Sequence, residues 1–306
     1  MKKRGALAPC LAMVLGIALL SGCGAGTNPK AESGGKLSVY TSFYAMYDFA
    51  GKIGGDRIEL TNLVPAGTEP HEWEPSPLDI ANLERADVLV YNGAGMEGWL
   101  DGIRRTLKNK NLVEVEASGE IKLLENADAD EELKYDPHVW LNPMNAKKQM
   151  EAITKAFSEA DPANGEYYEG NYNENAKKLD ALDKEFRDTL AKYTKKDIVV
   201  AHQAFGYLCD AYGLGQVAIE GLNADAEPSP ARMAEITAFA EKNDIKYIFF
   251  EELISPRVAE AIAAETGAKT AVLNPLEGLK EEDIAAGKEY FSVMKENLEA
   301  ISRALQ

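Results

Sequence analysis

The chain has 306 residues, of which 45% are hydrophobic, and a formal net charge of −17 at pH 7. Its length is sufficient for a sizeable core and exceeds that of one typical domain. A surface this acidic repels nucleic acid, which argues against nucleic acid as a partner, and it raises the local concentration of cations.

The N-terminus has the pattern of an export signal. Lys2, Lys3 and Arg4 form a positive start, and an apolar run follows at 5–20. This run is shorter than the ~20 apolar residues that a helix needs to cross a bilayer. We therefore predict a signal peptide at 1–22 rather than a membrane-spanning helix.

The apolar run ends in Leu20-Ser21-Gly22-Cys23, which resembles a bacterial lipobox. In that pattern the peptide is cut before the cysteine and the thiol receives a diacylglyceryl group. An ordinary cleavage site with an incidental cysteine is the alternative. We predict a lipidated Cys23, a flexible tether within 23–36, and an extracytoplasmic protein anchored to the cell membrane.

Short apolar strands alternate with helical patterns over 37–161, which predicts an N-terminal α/β lobe with a mostly parallel sheet. The predicted strands are Leu37–Ser42, Arg57–Val64, Asp87–Asn92 and Leu112–Glu116. The predicted helices are Ala45–Ile53, Pro77–Arg85, Met96–Lys108 and about 145–160. Ser76 is an N-cap before a proline at the first helical position, which marks the start of the second helix.

The alternation then stops and later returns. Apolar side chains at helical spacing predict one long rigid helix at 162–194, roughly 45 Å in length. From 195 to 306 the pattern predicts a C-terminal α/β lobe. Its predicted strands are Asp197–His202, Gln216–Glu220, Lys246–Glu251 and Lys269–Leu273. Its predicted helices are Gln203–Tyr212, Pro230–Lys242, Pro256–Thr266 and Glu281–Ala304.

Two α/β lobes joined by a rigid helix predict a ligand site in the cleft between them, because open sheets bind ligands beyond the carboxyl ends of their strands. The three histidines of the chain and Glu277 all lie in loops at the ends of predicted elements. His71 follows the second strand in a loop stiffened by proline and glycine, His138 precedes a helix, and His202 ends a strand. Each of these positions is therefore expected to face the cleft.

Taken singly, each histidine is explained equally well as a hydrogen-bonded loop or core side chain. The joint pattern favours a metal site, because every histidine of the chain lies in such a loop. Neutral imidazole binds Zn²⁺ at about 2.0–2.1 Å in tetrahedral geometry. Three imidazoles leave a fourth position, which a carboxylate can fill while halving the charge of the ion.

Four motifs carry a resemblance to a known family: PAGTEPHEWEP at 65–75, DPHVWLNP at 136–143, AHQAFGY at 201–207 and LNPLEGL at 273–279. In this order they resemble the zinc-binding lipoproteins of bacterial ABC importers, which belong to the zinc/manganese cluster of solute-binding proteins. The resemblance implies two α/β lobes joined by a long helix and delivery of the metal to a membrane permease. It also implies that His71, His138, His202 and Glu277 bind a single Zn²⁺ ion.

The resemblance also bears on the choice of metal. Manganese-binding members are similar at the first two histidines but carry carboxylates at the third and fourth positions. His202 occupies the third position here and favours Zn²⁺, since imidazole suits zinc and manganese prefers more oxygen ligands. The alternative interpretation is that the chain is a manganese-binding member of the same family.

Other acidic residues near the motifs have two interpretations. Asp136 and Glu69 are candidates to accept the free N–H of a ligating imidazole, or else cap a turn or helix. Glu69 and Glu72 are also the nearest alternatives to Glu277 as the fourth ligand. Many zinc-binding members carry a histidine-rich loop before the second motif, whereas the segment Glu125–Glu132 is acidic here. We favour a solvated loop over a metal-collecting one.

The remaining aromatic and sulfur-containing candidates are assigned to packing. Trp73, Trp140 and Phe205 stand close to the histidines and are expected to form walls that exclude water from the site. Cys209 lies in an apolar stretch and is expected to be a small buried hydrophobic residue rather than a ligand.

A secreted zinc hydrolase is the rival interpretation, with the glutamate as general base. The sequence has no H-E-x-x-H, no G-x-S-x-G and no P-loop motif, and four protein ligands would leave no open position for water. Nothing in the sequence indicates a repeat or an exposed aromatic platform that would support an adhesion role. We therefore expect a monomeric, non-enzymatic component of an ABC importer that binds zinc.

Overall fold

The computed structural model describes residues 35–126, 133–222 and 228–306, and Lys36–Gln306 form one compact unit. The predicted signal peptide, Cys23 with nearly all of its tether, and most of the acidic segment lie outside the described residues. Within the described part of the chain, no helix is long and apolar enough to cross a membrane.

The N-terminal lobe contains a four-stranded, fully parallel sheet. Its strands are β1 (Leu37–Thr41), β2 (Ile58–Asn62), β3 (Val88–Tyr91) and β4 (Val113–Glu116), in the order β2-β1-β3-β4. Its helices are α1 (Tyr44–Gly54), α2 (Pro77–Leu83), α3 (Leu100–Arg104) and α4 (Pro143–Ala160). All four residues of β3 are buried, as expected for a central parallel strand covered on both faces.

The C-terminal lobe repeats this arrangement with a second parallel sheet. Its strands are β5 (Asp197–Val200), β6 (Gly215–Ala218), β7 (Tyr247–Phe250) and β8 (Lys269–Val272), in the order β6-β5-β7-β8. Its helices are α6 (Gly206–Tyr212), α7 (Pro230–Lys242), α8 (Arg257–Thr266), α9 (Glu281–Ala285) and α10 (Tyr290–Ala304). Because each strand leads into a helix, only parallel pairing brings the next strand back into the same sheet.

The long helix α5 spans Gly165–Leu190, about 39 Å at the usual helical rise. Its buried side chains form a single stripe that packs against α1, α4 and α10. A short 3₁₀ turn at Pro162–Asn164 precedes it, so the helix is somewhat shorter than predicted. The prediction of two parallel α/β lobes joined by one long helix is confirmed.

The helices predicted at 96–108 and 281–304 differ most from the structure. The predicted helix 96–108 is reduced to α3, Leu100–Arg104, and Gly93 and Gly95, with positive φ values of 85° and 91°, form a turn before it. The predicted helix 281–304 is interrupted at Gly287, where φ is 84°. The chain then starts again as α10, with a capping box at Glu289.

Candidate metal centre

The structure brings together all four side chains that the sequence singled out. One ligand atom from each of His71, His138, His202 and Glu277 lies within 4.8 Å of the others. The His138 and His202 side chains have no exposed surface, and those of His71 and Glu277 are 5% and 2% exposed. Four donor groups have thus been removed from water to face one another.

The separations fit a tetrahedral ion. With bonds of about 2.0–2.1 Å, any two ligand atoms of a tetrahedral zinc site are about 3.3 Å apart. The His138 Nε2 atom lies 3.3 Å from His71 Nε2 and 3.2 Å from His202 Nε2. The Glu277 Oε1 atom lies 3.3 Å from His71 Nε2, 2.8 Å from His138 Nε2 and 3.6 Å from His202 Nε2.

The His71 loop is shaped by Glu69. Both carboxylate oxygens of Glu69 accept the backbone N–H of His71, each at 3.0 Å, and one also accepts that of Glu72 at 3.4 Å. The Gly67 N–H donates to the Leu279 carbonyl at 2.9 Å and so joins this loop to the loop that carries Glu277. Glu69 therefore acts on the backbone of the loop, and no contact with the His71 ring is observed.

The ring of His138 is oriented by Asp136. One oxygen of this buried carboxylate lies 2.8 Å from His138 Nδ1 and also accepts the His138 backbone N–H at 2.9 Å. A contact on Nδ1 leaves Nε2 free to bind a cation. The other oxygen of Asp136 lies so close to Gly206 that a Cβ atom there would come within 2.4 Å of it. Glycine at the start of α6 is therefore required by this approach.

The ring of His202 is held by Glu251, which the sequence analysis did not identify as a site residue. Glu251 Oε1 makes a short hydrogen bond with His202 Nδ1. His202 follows β5 and Glu251 follows β7, and these two strands are neighbours in the sheet. The sequence does place the Glu251 carboxylate at the end of a predicted strand in the same lobe as His202. Without the order of the strands in the sheet, however, the sequence does not show that the two residues are neighbours.

Burial and neighbouring charges have opposite effects on the pKa values of the site residues. Burial lowers the pKa of His138, but hydrogen bonds and charges from Asp136 and Glu277 outweigh it and raise the pKa to about 10. Burial likewise lowers the pKa of His202, and the charges of Glu251 and Glu277 reverse this to a net increase. Burial raises the pKa of Glu277, yet the neighbouring histidines hold it well below its ordinary value.

The other predicted site residues divide into two groups. Trp140 and Phe205 are buried, and the Trp140 ring centroid lies 5.3 Å from that of His138. Trp73 is only partly buried; it lies 5.7 Å from Trp99 between ring centroids and packs against both the main core and a smaller cluster. Among the described residues, the group of possible ligands excludes Glu69, Glu72 and the buried Cys209.

Most of the chain is similar to one protein family and to proteins named for zinc. The family model described as ZnuA, zinc-uptake complex component A periplasmic, matches residues 39–304. The high-affinity zinc uptake system protein ZnuA of Bacillus subtilis is 43% identical over 299 residues, covering 94% of each chain. The zinc-binding lipoprotein AdcA of Streptococcus pneumoniae is 42% identical over 284 residues, covering 90% of this chain and 57% of AdcA. The chain thus spans little more than half the length of AdcA.

A solved structure shares the fold. The Zn(II)-bound ZnuA-like domain of Streptococcus pneumoniae AdcA superposes with a TM-score of 0.79 at 43% sequence identity. The match covers 89% of this chain and 99% of that domain.

Proposed function

The chain belongs to the ZnuA family of zinc-uptake complex components, and we propose that it captures Zn²⁺ outside the cytoplasm and delivers it to the membrane permease of an ABC importer. The ligands are His71, His138, His202 and Glu277. The observation that carries this proposal is the set of four buried ligand atoms with near-tetrahedral separations.

The ligand set favours zinc over manganese. Three imidazole nitrogens and one carboxylate oxygen suit Zn²⁺, whereas Mn²⁺ prefers more oxygen ligands and a higher coordination number. The relatives compared above are named for zinc uptake or zinc binding, which supports the same choice.

The geometry favours binding over catalysis. Four protein ligands complete a tetrahedral shell, whereas a catalytic zinc keeps one position open for water or substrate. Glu277 fills the position that a hydrolytic water would need, and we infer that the protein carries the ion without transforming a substrate. Release then depends on the permease, because a closed four-ligand site exchanges its ion slowly.

The membrane attachment belongs to the same proposal. We infer that the mature chain begins at Cys23 and is held at the outer face of the cell membrane by a diacylglyceryl group, with the tether 24–35 allowing it to reach the permease. We also infer that it acts as a monomer, since all four ligands come from one chain.

The function is tested by metal analysis of the soluble form that starts after Cys23, purified without added metal. We expect one equivalent of zinc, and we expect Zn²⁺ to displace Mn²⁺ in a competition titration. Preferential retention of Mn²⁺ would instead favour a manganese-binding function for this chain. Zinc-dependent turnover of ester, peptide or phosphate substrates would favour the hydrolase.

The Glu251–His202 contact leads to a prediction. We expect Glu251→Gln to weaken Zn²⁺ binding about 10- to 100-fold, because a neutral amide orients the ring and raises its basicity less than a carboxylate does. Affinity is measured by competition with a zinc chelator. Asp161→Asn is the matched control, since it also neutralises a partly buried carboxylate, one that accepts a hydrogen bond from the Tyr168 hydroxyl and lies outside the group of ligand atoms. Equal affinities of the two variants would contradict the role given to Glu251.

The raised pKa of His138 predicts that Zn²⁺ affinity increases with pH. With a pKa of about 10, the metal-free protein holds a proton on this ring at neutral pH, and the ion must displace it. Between about pH 6 and 9 we expect affinity to increase about tenfold per pH unit for each proton displaced. The same proton stabilises the metal-free fold below about pH 6.5, and that contribution is lost as the pH rises toward 10.

Calorimetry in buffers of different ionisation enthalpy measures the released protons directly. An affinity that stays constant from neutral pH to about 5 would contradict this mechanism.

A further inference from the structure

The loops that carry His138 and Glu277 are joined by a direct hydrogen bond. The indole Nε1–H of Trp140 donates to the Pro275 carbonyl at 2.7 Å, and the tryptophan is completely buried. Trp140 lies two residues after His138, and Pro275 lies two residues before Glu277. The bond therefore connects a ligand loop of one lobe to a ligand loop of the other.

Helix α10 holds the other side of both loops. The Tyr290 hydroxyl donates to the Trp140 carbonyl at 2.7 Å. Nearly two turns further along the helix, the buried Asn297 side chain pairs with the backbone of Asn274, accepting its N–H at 2.9 Å and donating to its carbonyl at 2.7 Å. Trp140, Pro275, Asn274 and α10 thus form a closed ring of contacts.

The Glu277 loop has a backbone conformation that needs such support. Leu276, directly before the glutamate, has a φ of 59°, in the left-handed region that a non-glycine residue adopts only at an energetic cost. Its N–H donates to the Asn274 side chain at 2.8 Å. The residue that Asn297 holds therefore also stabilises the turn that aims Glu277 into the site.

We propose that Trp140 is a positioning residue of the metal site, which, together with Tyr290 and Asn297 of α10, fixes the distance between His138 and Glu277. Those two ligands have the shortest of the measured separations, 2.8 Å between Nε2 and Oε1. This inference rests on the proposed function.

The expected consequence is selectivity for a four-coordinate ion. Zn²⁺ fits ligand atoms held at tetrahedral separations, whereas Mn²⁺ needs longer bonds and room for additional oxygen ligands. A rigid connection between the two loops prevents the site from widening to admit them. Loosening that connection should therefore weaken Zn²⁺ binding more than Mn²⁺ binding.

The test uses Trp140→Phe and Tyr290→Phe in the soluble mature chain, since each removes one hydrogen-bond donor and keeps an aromatic ring. For both variants we expect the ratio of Zn²⁺ to Mn²⁺ affinity to decrease about tenfold, because ligand loops that can move apart no longer favour a four-coordinate ion. The visible absorption of the Co²⁺-loaded protein is the second measurement. Tetrahedral Co²⁺ absorbs strongly, and we expect the bands of the variants to weaken.

Tyr168→Phe is the matched control, because Tyr168 is a buried aromatic residue whose hydroxyl donates to Asp161 at 2.8 Å, outside the ligand loops. This control should leave the affinity ratio and the Co²⁺ spectrum unchanged. Test variants that lose thermal stability but keep the wild-type ratio and spectrum would overturn the proposal, since that pattern indicates plain core packing. Failure of the wild-type protein to bind Zn²⁺ would overturn the proposed function itself, before any variant is compared.

Discussion

His202→Ala is expected to weaken Zn²⁺ binding about a hundredfold to a thousandfold. A four-ligand zinc site has a total binding free energy of about 10–16 kcal/mol, so one ligand accounts for about a quarter of it. The substitution also leaves Glu251 buried without the imidazole that it contacts. The Kd is measured by competition with a chelator, at a pH where the wild-type site is saturated.

Glu72→Ala is the control for this experiment. Glu72 is exposed on the same loop as His71 and lies outside the group of ligand atoms, so we expect affinity within about twofold of wild type. Circular dichroism of the metal-free His202→Ala protein separates lost binding from lost folding. If both substitutions have small and equal effects, the site has been misassigned.

Zinc is expected to raise the melting temperature of the metal-free protein by about 10 °C. An ion present at a thousand times its Kd stabilises the folded state by about 4 kcal/mol, and each kcal/mol shifts a chain of this size by about 2–4 °C. The effect is large because the four ligands come from distant parts of the sequence, which separate when the chain unfolds. Differential scanning calorimetry with and without Zn²⁺ measures the shift.

The shift should be reversed by a chelator and should be nearly absent in His202→Ala. Manganese at the same concentration should produce a smaller shift, in line with its poorer fit to the ligand set. A zinc-induced increase that survives in His202→Ala would indicate that the ion binds elsewhere.

Much of the architecture could be predicted because local signals repeat. Short apolar strands between amphipathic helices have few other ways to bury their surface than in parallel sheets. The element boundaries were less predictable. The helix expected at 96–108 forms only over Leu100–Arg104, and the single helix expected at 281–304 is interrupted at Gly287. The left-handed conformation of Gly287 depends on local packing as much as on residue type.

The residues of the candidate site were also accessible from sequence, because their chemistry is rare in this chain. With only three histidines present, each in a proline- or glycine-containing loop or at a strand end, the choice of candidates was small. Asp136 could be proposed as a partner for His138 because it lies two residues away. The resemblance to a family then supplied Glu277 as the fourth member.

Three features could not be obtained in this way, because they depend on contacts between residues far apart in the chain. Glu251 reaches His202 only because β5 and β7 are neighbours in the sheet. Trp140 reaches Pro275 only because the two lobes meet. The separations of the ligand atoms follow from both arrangements. The amino-acid sequence therefore specifies which donor groups are available, and the packing of the lobes decides their distances and orientations, on which the choice of metal depends.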